Sequence, residues 1–124
     1  MPASDLHGAV QAAFSAADVE ALVALYEDDA CLLDDAGGVH RGHEAIRALW
    51  TEQTAYGGSL SLTTLAAIEQ GDTALLSNRW EFSMDGTVVA GAVTAEVARR
   101  QADGSWRYVI DNPYVADVIA PDAG

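Results

Sequence analysis

Three carboxylates sit where this chain packs apolar side chains. Asp111 closes Trp106-Arg107-Tyr108-Val109-Ile110, the last apolar run before Asn112-Pro113. Asp34 closes Ala30-Cys31-Leu32-Leu33, and Glu96 lies inside Val93-Thr94-Ala95-Glu96-Val97-Ala98. Strands of that composition pack against a core, where an unpaired charge is strongly unfavourable. Each acid must therefore be solvated, paired or available to a ligand. Converging on one pocket, they would handle protons. One carboxylate removes a proton from carbon or water; another, kept neutral by burial, returns one or donates a hydrogen bond.

Each acid also has a simpler reading. Asp34 suits the turn into Asp35-Ala36-Gly37. Glu96 could be an edge or dimer-face residue paired with Arg. Asp111 could end its strand at Asn112-Pro113. Strict alternation puts Arg107, Val109 and Asp111 on one face and Trp106, Tyr108 and Ile110 on the other. If the Trp106 face is the only core face, Asp111 points outward.

Composition narrows the functional classes. A chain of 124 residues is expected to form one domain, with room for a core and a ligand cavity. Half of its residues are hydrophobic and 20% are charged, which fits a globular protein. The formal net charge is −13, and all six cations are Arg. Such a surface repels phosphate backbones and anionic lipid, so neither nucleic acid nor membrane is expected as a partner. Cys31 is the single cysteine, which excludes an internal disulfide and reads as a small buried hydrophobe. The N-terminus lacks signal-peptide features, and no apolar run has the length of a membrane span, so the expected location is the cytoplasm.

The elements that must position the acids follow from periodicity. Leu6, Val10 and Phe14 mark a first helix with Ser4 as N-cap. Asp18 caps a second, with a stripe of Val19, Leu22, Val23, Leu25 and Tyr26. Its end would carry Glu27, Asp28 and Asp29, the wrong charge for a helix C-terminus. Short strands are expected over 30–34 and 39–41. A third helix then opens at Gly42-His43-Glu44, carries Ile46, Leu49 and Trp50, and ends at Gly57-Gly58. From residue 59 the period becomes two. Four long strands follow, separated by Gly71-Asp72, Asp85-Gly86 and Asp103-Gly104. The order ααββαββββ predicts an α+β layer structure, a curved, cone-shaped antiparallel sheet whose three helices enclose a pocket.

The segment Asp18 to Ala30, Asp34 at its distance, Gly42-His43-Glu44-Ala45-Ile46-Arg47, the Asp-Gly hairpins and the terminal Trp-Arg-Tyr-Val-Ile-Asp-Asn-Pro run together resemble the nuclear transport factor 2-like superfamily. The similarity is to its ketosteroid isomerase and SnoaL-like polyketide cyclase branch, over nearly the whole chain. It implies a general base at Asp34, a protonated oxyanion-hole acid at Glu96 and a catalytic acid at Asp111. It also places Val10, which has no donor, where the isomerase keeps a tyrosine. Superfamily epoxide hydrolases use an Arg-x-Asp pair that Arg79-Trp80-Glu81 resembles. That variant requires both charges to face inward, whereas the Trp80, Phe82, Met84 face is the apolar one. Arg79 and Glu81 therefore read as an exposed ion pair.

Trp50, Trp80, Asn78, Phe82 and Tyr26 are the expected cavity wall, with His40 at its mouth and His43 capping the third helix. His40 and His43 are poorly supported as metal ligands, and neither a metal nor another cofactor is expected. The expected function is carboxylate acid–base chemistry of isomerase, cyclase or dehydratase type. Its substrate would be an apolar polyketide-, terpenoid- or steroid-like molecule. The alternatives are a non-catalytic binding or assembly module and an epoxide hydrolase using activated water. Val89, Val93 and Val97 on the outer face predict a homodimer through the sheet.

Overall fold

The computed structural model describes residues 1–117. Its elements are α1 (Asp5–Ser15), α2 (Val19–Val23), β1 (Tyr26–Leu33), β2 (Val39–Arg41), α3 (His43–Thr54), β3 (Ser59–Gln70), β4 (Thr73–Met84), β5 (Thr87–Arg100) and β6 (Trp106–Asp117). The order is the expected one. The strands form a single curved, unclosed sheet, β2-β1-β6-β5-β4-β3. The sheet is mixed rather than antiparallel, because β1 pairs parallel with β6 while every other pair is antiparallel. A parallel neighbour requires a long crossover. Here everything between β1 and β6 supplies it.

Helix α2 is shorter than its apolar stripe. The helix stops at Val23, and Tyr26 already begins β1, where it is fully buried. Glu27, Asp28 and Asp29 therefore lie on a strand, which removes their conflict with a helix dipole. Asp18 does cap α2, its Oδ1 accepting from Ala21 N at 3.1 Å, whereas the Ser4 side chain makes no cap bond. Cys31 is half-buried rather than core.

Leu6, Val10 and Phe14 of α1, Ile46 of α3, and Tyr108 and Trp106 of β6 form the packed centre on the concave face. Phe14 links the layers. Its ring stands edge-on to Trp50 at 6.2 Å and to Phe82 at 6.1 Å. Such aromatic pairs add about 0.5–1.5 kcal/mol each beyond area burial.

A β-bulge decides the orientation of Asp111. Val97 pairs with Ile110, but the next residue, Ala98, pairs with Tyr108, leaving Val109 without an opposite. The extra residue reverses the alternation that follows it. Trp106 and Tyr108 point inward before the bulge, Ile110 is 43% exposed, and Asp111 is buried. The Trp106 face and the Asp111 face are thus the same face. Deleting Val109 should leave simple alternation with Trp106, Tyr108 and Asp111 on the one inward face, because Tyr108, Ile110 and Asp111 then pair in sequence with Ala98, Val97 and Glu96. In carboxyl-carbon NMR titrations, the deletion variant is expected to keep an Asp111 midpoint raised to about 8, and a midpoint in the ordinary carboxylate range would contradict Val109 as the extra residue.

Candidate active site

β6 lies between β1 and β5, so its inward residues face both neighbours. Asp111 is in direct register with Leu32 on one side and Glu96 on the other, and Glu96 with Leu76 beyond. Directly opposed residues hold their Cβ atoms about 4.5–5.5 Å apart. Two acids therefore sit side by side between leucines, 6% and 3% exposed.

Their partners differ in kind. Glu96 Oε1 lies 2.9 Å from His7 Nε2 and accepts from the Thr94 hydroxyl at 2.9 Å. Asn78 Nδ2 lies 3.3 Å from each Glu96 oxygen. Donors from three elements thus converge on Glu96, an arrangement that complements a carboxylate. When His7 Nε2 carries the ring proton, Nδ1 is free to accept from the Thr64 hydroxyl, 2.6 Å away. Among the described residues Asp111 has one hydrogen-bond partner, the Tyr26 hydroxyl, which donates to Oδ2 at 2.6 Å. Burial first, and the nearby Glu96 charge second, push Asp111 up to about 8. At neutral pH Asp111 is therefore the acid that holds its proton. Burial, then Asp111, raises Tyr26 well above the ordinary phenol range, so it remains a donor. The sequence-based expectation of a neutral donor at Glu96 thus passes to Asp111.

Both acids open into a cavity of about 240 Å³. Val10, Phe14, Leu60 and Leu62 line one side. Trp50, Trp80, Phe82 and Tyr108 supply aromatic wall, and Asn78 and Thr94 add polar atoms beside the acids. Exposed Asp35, with half-buried Gln53 and Tyr114, marks the outer end. The Trp80 indole donates to Pro113 O at 2.8 Å, and its ring meets Tyr114 edge-on at 5.8 Å.

Asp34 is the main correction. It does not line the cavity. Its Oδ1 accepts from Ala36 N at 3.0 Å and Gly38 N at 2.7 Å, and its Oδ2 meets His40 Nε2 at 2.8 Å. The His40 contact and then the Gly38 amide hold its carboxyl below the ordinary range. A Cβ at Gly38 would lie 2.6 Å from Asp34 Oδ2, so glycine there lets the turn close on the carboxylate. Asp34 and His40 together form a turn clasp outside the pocket. Tyr26 is likewise not wall; it stands behind Asp111. His43 Nε2 donates to Tyr26 O at 2.8 Å and ties α3 to β1. Arg79 and Glu81 are on the outer face, 3.4 Å apart, Arg79 exposed and Glu81 half-buried, so the inward pair required for epoxide opening is not present.

His7 is the residue that sequence reasoning missed. With Val10 and Phe14 it forms an i, i+3, i+7 stripe, and it is 2% exposed. A lone histidine on an apolar stripe was the available signal.

One consequence is measurable without a substrate. Asp111 keeps its proton when folded up to about 8 but releases it near 3.8 when unfolded. Its contribution to stability is complete below the lower value and is lost as pH rises through the upper one, by at most about 1.4 kcal/mol per pH unit. Urea denaturation of Asp111→Asn should therefore show a gain over wild type that grows between pH 5 and about 8.

The family follows from a sequence comparison and the fold from structure comparisons. A SnoaL-like domain model matches residues 8–111. No curated protein matches. Among solved structures, a ketosteroid isomerase-like protein from Erwinia carotovora atroseptica superposes with a TM-score of 0.71 at 20% identity, covering 96% of this chain and 95% of that one. A candidate dehydratase of the NTF2-like family from Streptomyces avermitilis gives 0.73 at 20% identity, over 92% and 95%. A candidate calcium/calmodulin-dependent protein kinase II association domain from Thiobacillus denitrificans gives 0.75 at 20%, over 91% and 96%. At these identities the likeness is one of fold.

Proposed function

The chain belongs to the SnoaL-like domain family within the NTF2-like superfamily, and from that premise we propose that its cavity performs cofactor-independent acid–base chemistry on a small apolar carbonyl compound. The observation that carries this reading is the in-register pair Glu96 and Asp111, two carboxyl groups with opposite partner sets opening into one cavity. Glu96, surrounded by donors, is the base that removes a proton from the carbon next to the carbonyl. Asp111, holding its proton, hydrogen-bonds the developing enolate oxygen. Returning the proton from Glu96 to a different carbon completes an isomerisation, with no atom gained or lost. Cyclisation or dehydration of a polyketide-, terpenoid- or steroid-like substrate would start from the same enolate.

The test is hydrogen exchange at the α-carbon of cyclic ketones in deuterated buffer, followed by NMR. Wild type is expected to catalyse exchange, with activity falling above about pH 8 as Asp111 loses its proton. Glu96→Gln and Asp111→Asn should each slow it about 10²–10⁴-fold. Equal rates in wild type and both variants would remove the catalytic assignment. The second reading, a binding or assembly module, draws on Val10, which places no donor on the α1 side of the cavity.

We also propose that a second copy of the chain covers the outer face of the sheet. Ile68, Leu75, Val97 and Ile110 are successive register partners across four strands, forming an apolar row. Ile68 and Leu75 are more than half exposed. Arg79, Arg99 and Arg107 also lie on this face, so a chain of net charge −13 meets itself where its cations gather. Light scattering at micromolar concentration should give a dimer mass, and Leu75→Glu with Val97→Glu a monomer mass.

A further inference from the structure

Three residues that line the cavity each carry a buried polar atom with no hydrogen-bond partner among the described residues: Trp50 Nε1, Tyr108 Oη and Asn78 Oδ1. An unpaired buried donor or acceptor is disfavoured by about 1–3 kcal/mol. Three around one space point to a molecule that complements them.

Their chemistry specifies that molecule. The indole N–H of Trp50 can only donate. The Tyr108 phenol is held well above its ordinary range by burial first, then by Glu96 and Asp111, so it keeps its proton. Asn78 directs its amide hydrogens at Glu96, 3.3 Å from each oxygen, which fixes its own oxygen as an acceptor. The reverse orientation would set a carbonyl oxygen against a carboxyl group. Among the described residues, no Arg lines the cavity to balance an anion, while Glu96, Asp111 and Asp35 all do line it.

We propose that this cavity selects an uncharged hydroxy-ketone. Trp50 N–H and Tyr108 O–H hold its carbonyl oxygen, and its hydroxyl donates to Asn78 Oδ1. Trp50, on α3, thereby supplies the donor that Val10 on α1 lacks. The proposal rests on this cavity being the ligand site, as in the acid–base reading, and does not depend on turnover.

The experiment is calorimetric titration of wild type and Trp50→Phe with four matched bicyclic probes: tetralin, tetralone, hydroxytetralone and tetralin carboxylate. In wild type, tetralone should bind about tenfold tighter than tetralin, and hydroxytetralone about tenfold tighter again. The carboxylate should bind weakest. Trp50→Phe should lower tetralone affinity about tenfold more than it lowers tetralin affinity. Equal affinity for hydroxytetralone and tetralone, strongest binding of the carboxylate, or no binding of any probe would overturn the proposal. The wild-type series is decisive even if the variant folds poorly. Selective binding of hydroxytetralone without α-proton exchange would leave this selectivity standing and remove only the catalytic reading.

Discussion

Burial of two acids side by side is the constraint around which the other features are arranged. Two adjacent carboxylates in a water-poor space repel each other and lack solvation. The fold resolves this asymmetrically. Glu96 receives His7 from α1, Asn78 from β4 and Thr94 from its own strand, whereas among the described residues Asp111 receives only Tyr26. One group is thereby supported as an anion, and the other keeps its proton to about 8. The residues that make this distinction come from both layers, so the helices serve the site as well as covering the sheet.

That arrangement also explains why the cavity stays open. Phe14, Trp50 and Phe82 meet edge-on rather than closing over the acids. Val10 and Leu62 complete an apolar wall that offers the carboxyl groups no competing partner. The charged side chains of Arg79 and Glu81 pair on the opposite face. A largely apolar chamber with both buried acids at its inner end is suited to orienting a ligand.

Much of the architecture was legible in the sequence. The change from helical to two-residue period at residue 59 and the Asp-Gly turns fixed the element order. Two features were not accessible from periodicity. Parallel pairing of β1 with β6 is a long-range choice that leaves no local mark. The bulge at Val109 breaks alternation without a glycine or proline to signal it, and alternation alone left the direction of Asp111 open. At the site, Asn78, Trp80 and Phe82 were readable as wall because their strand alternates regularly, and Trp50 because it shares one face of α3 with Ile46 and Leu49. Asp34 was misplaced because turn geometry at Gly38 outweighs its position at the end of an apolar run. Tyr26 was read as helix because Val19, Leu22, Val23 and Leu25 carry a helical stripe up to it.

The place of β6 in the sheet has a consequence for the order of events in folding. Tyr26 and Asp111 are 85 residues apart in the chain, yet one hydrogen bond joins them. Closing that contact is a late, entropically demanding step compared with the hairpins of β3, β4 and β5. During synthesis β1 must therefore wait, its inner neighbour absent, until nearly all the described chain has emerged. The paired-acid site cannot exist in any partly made molecule, because its two acids become neighbours only when the last gap in the sheet is filled.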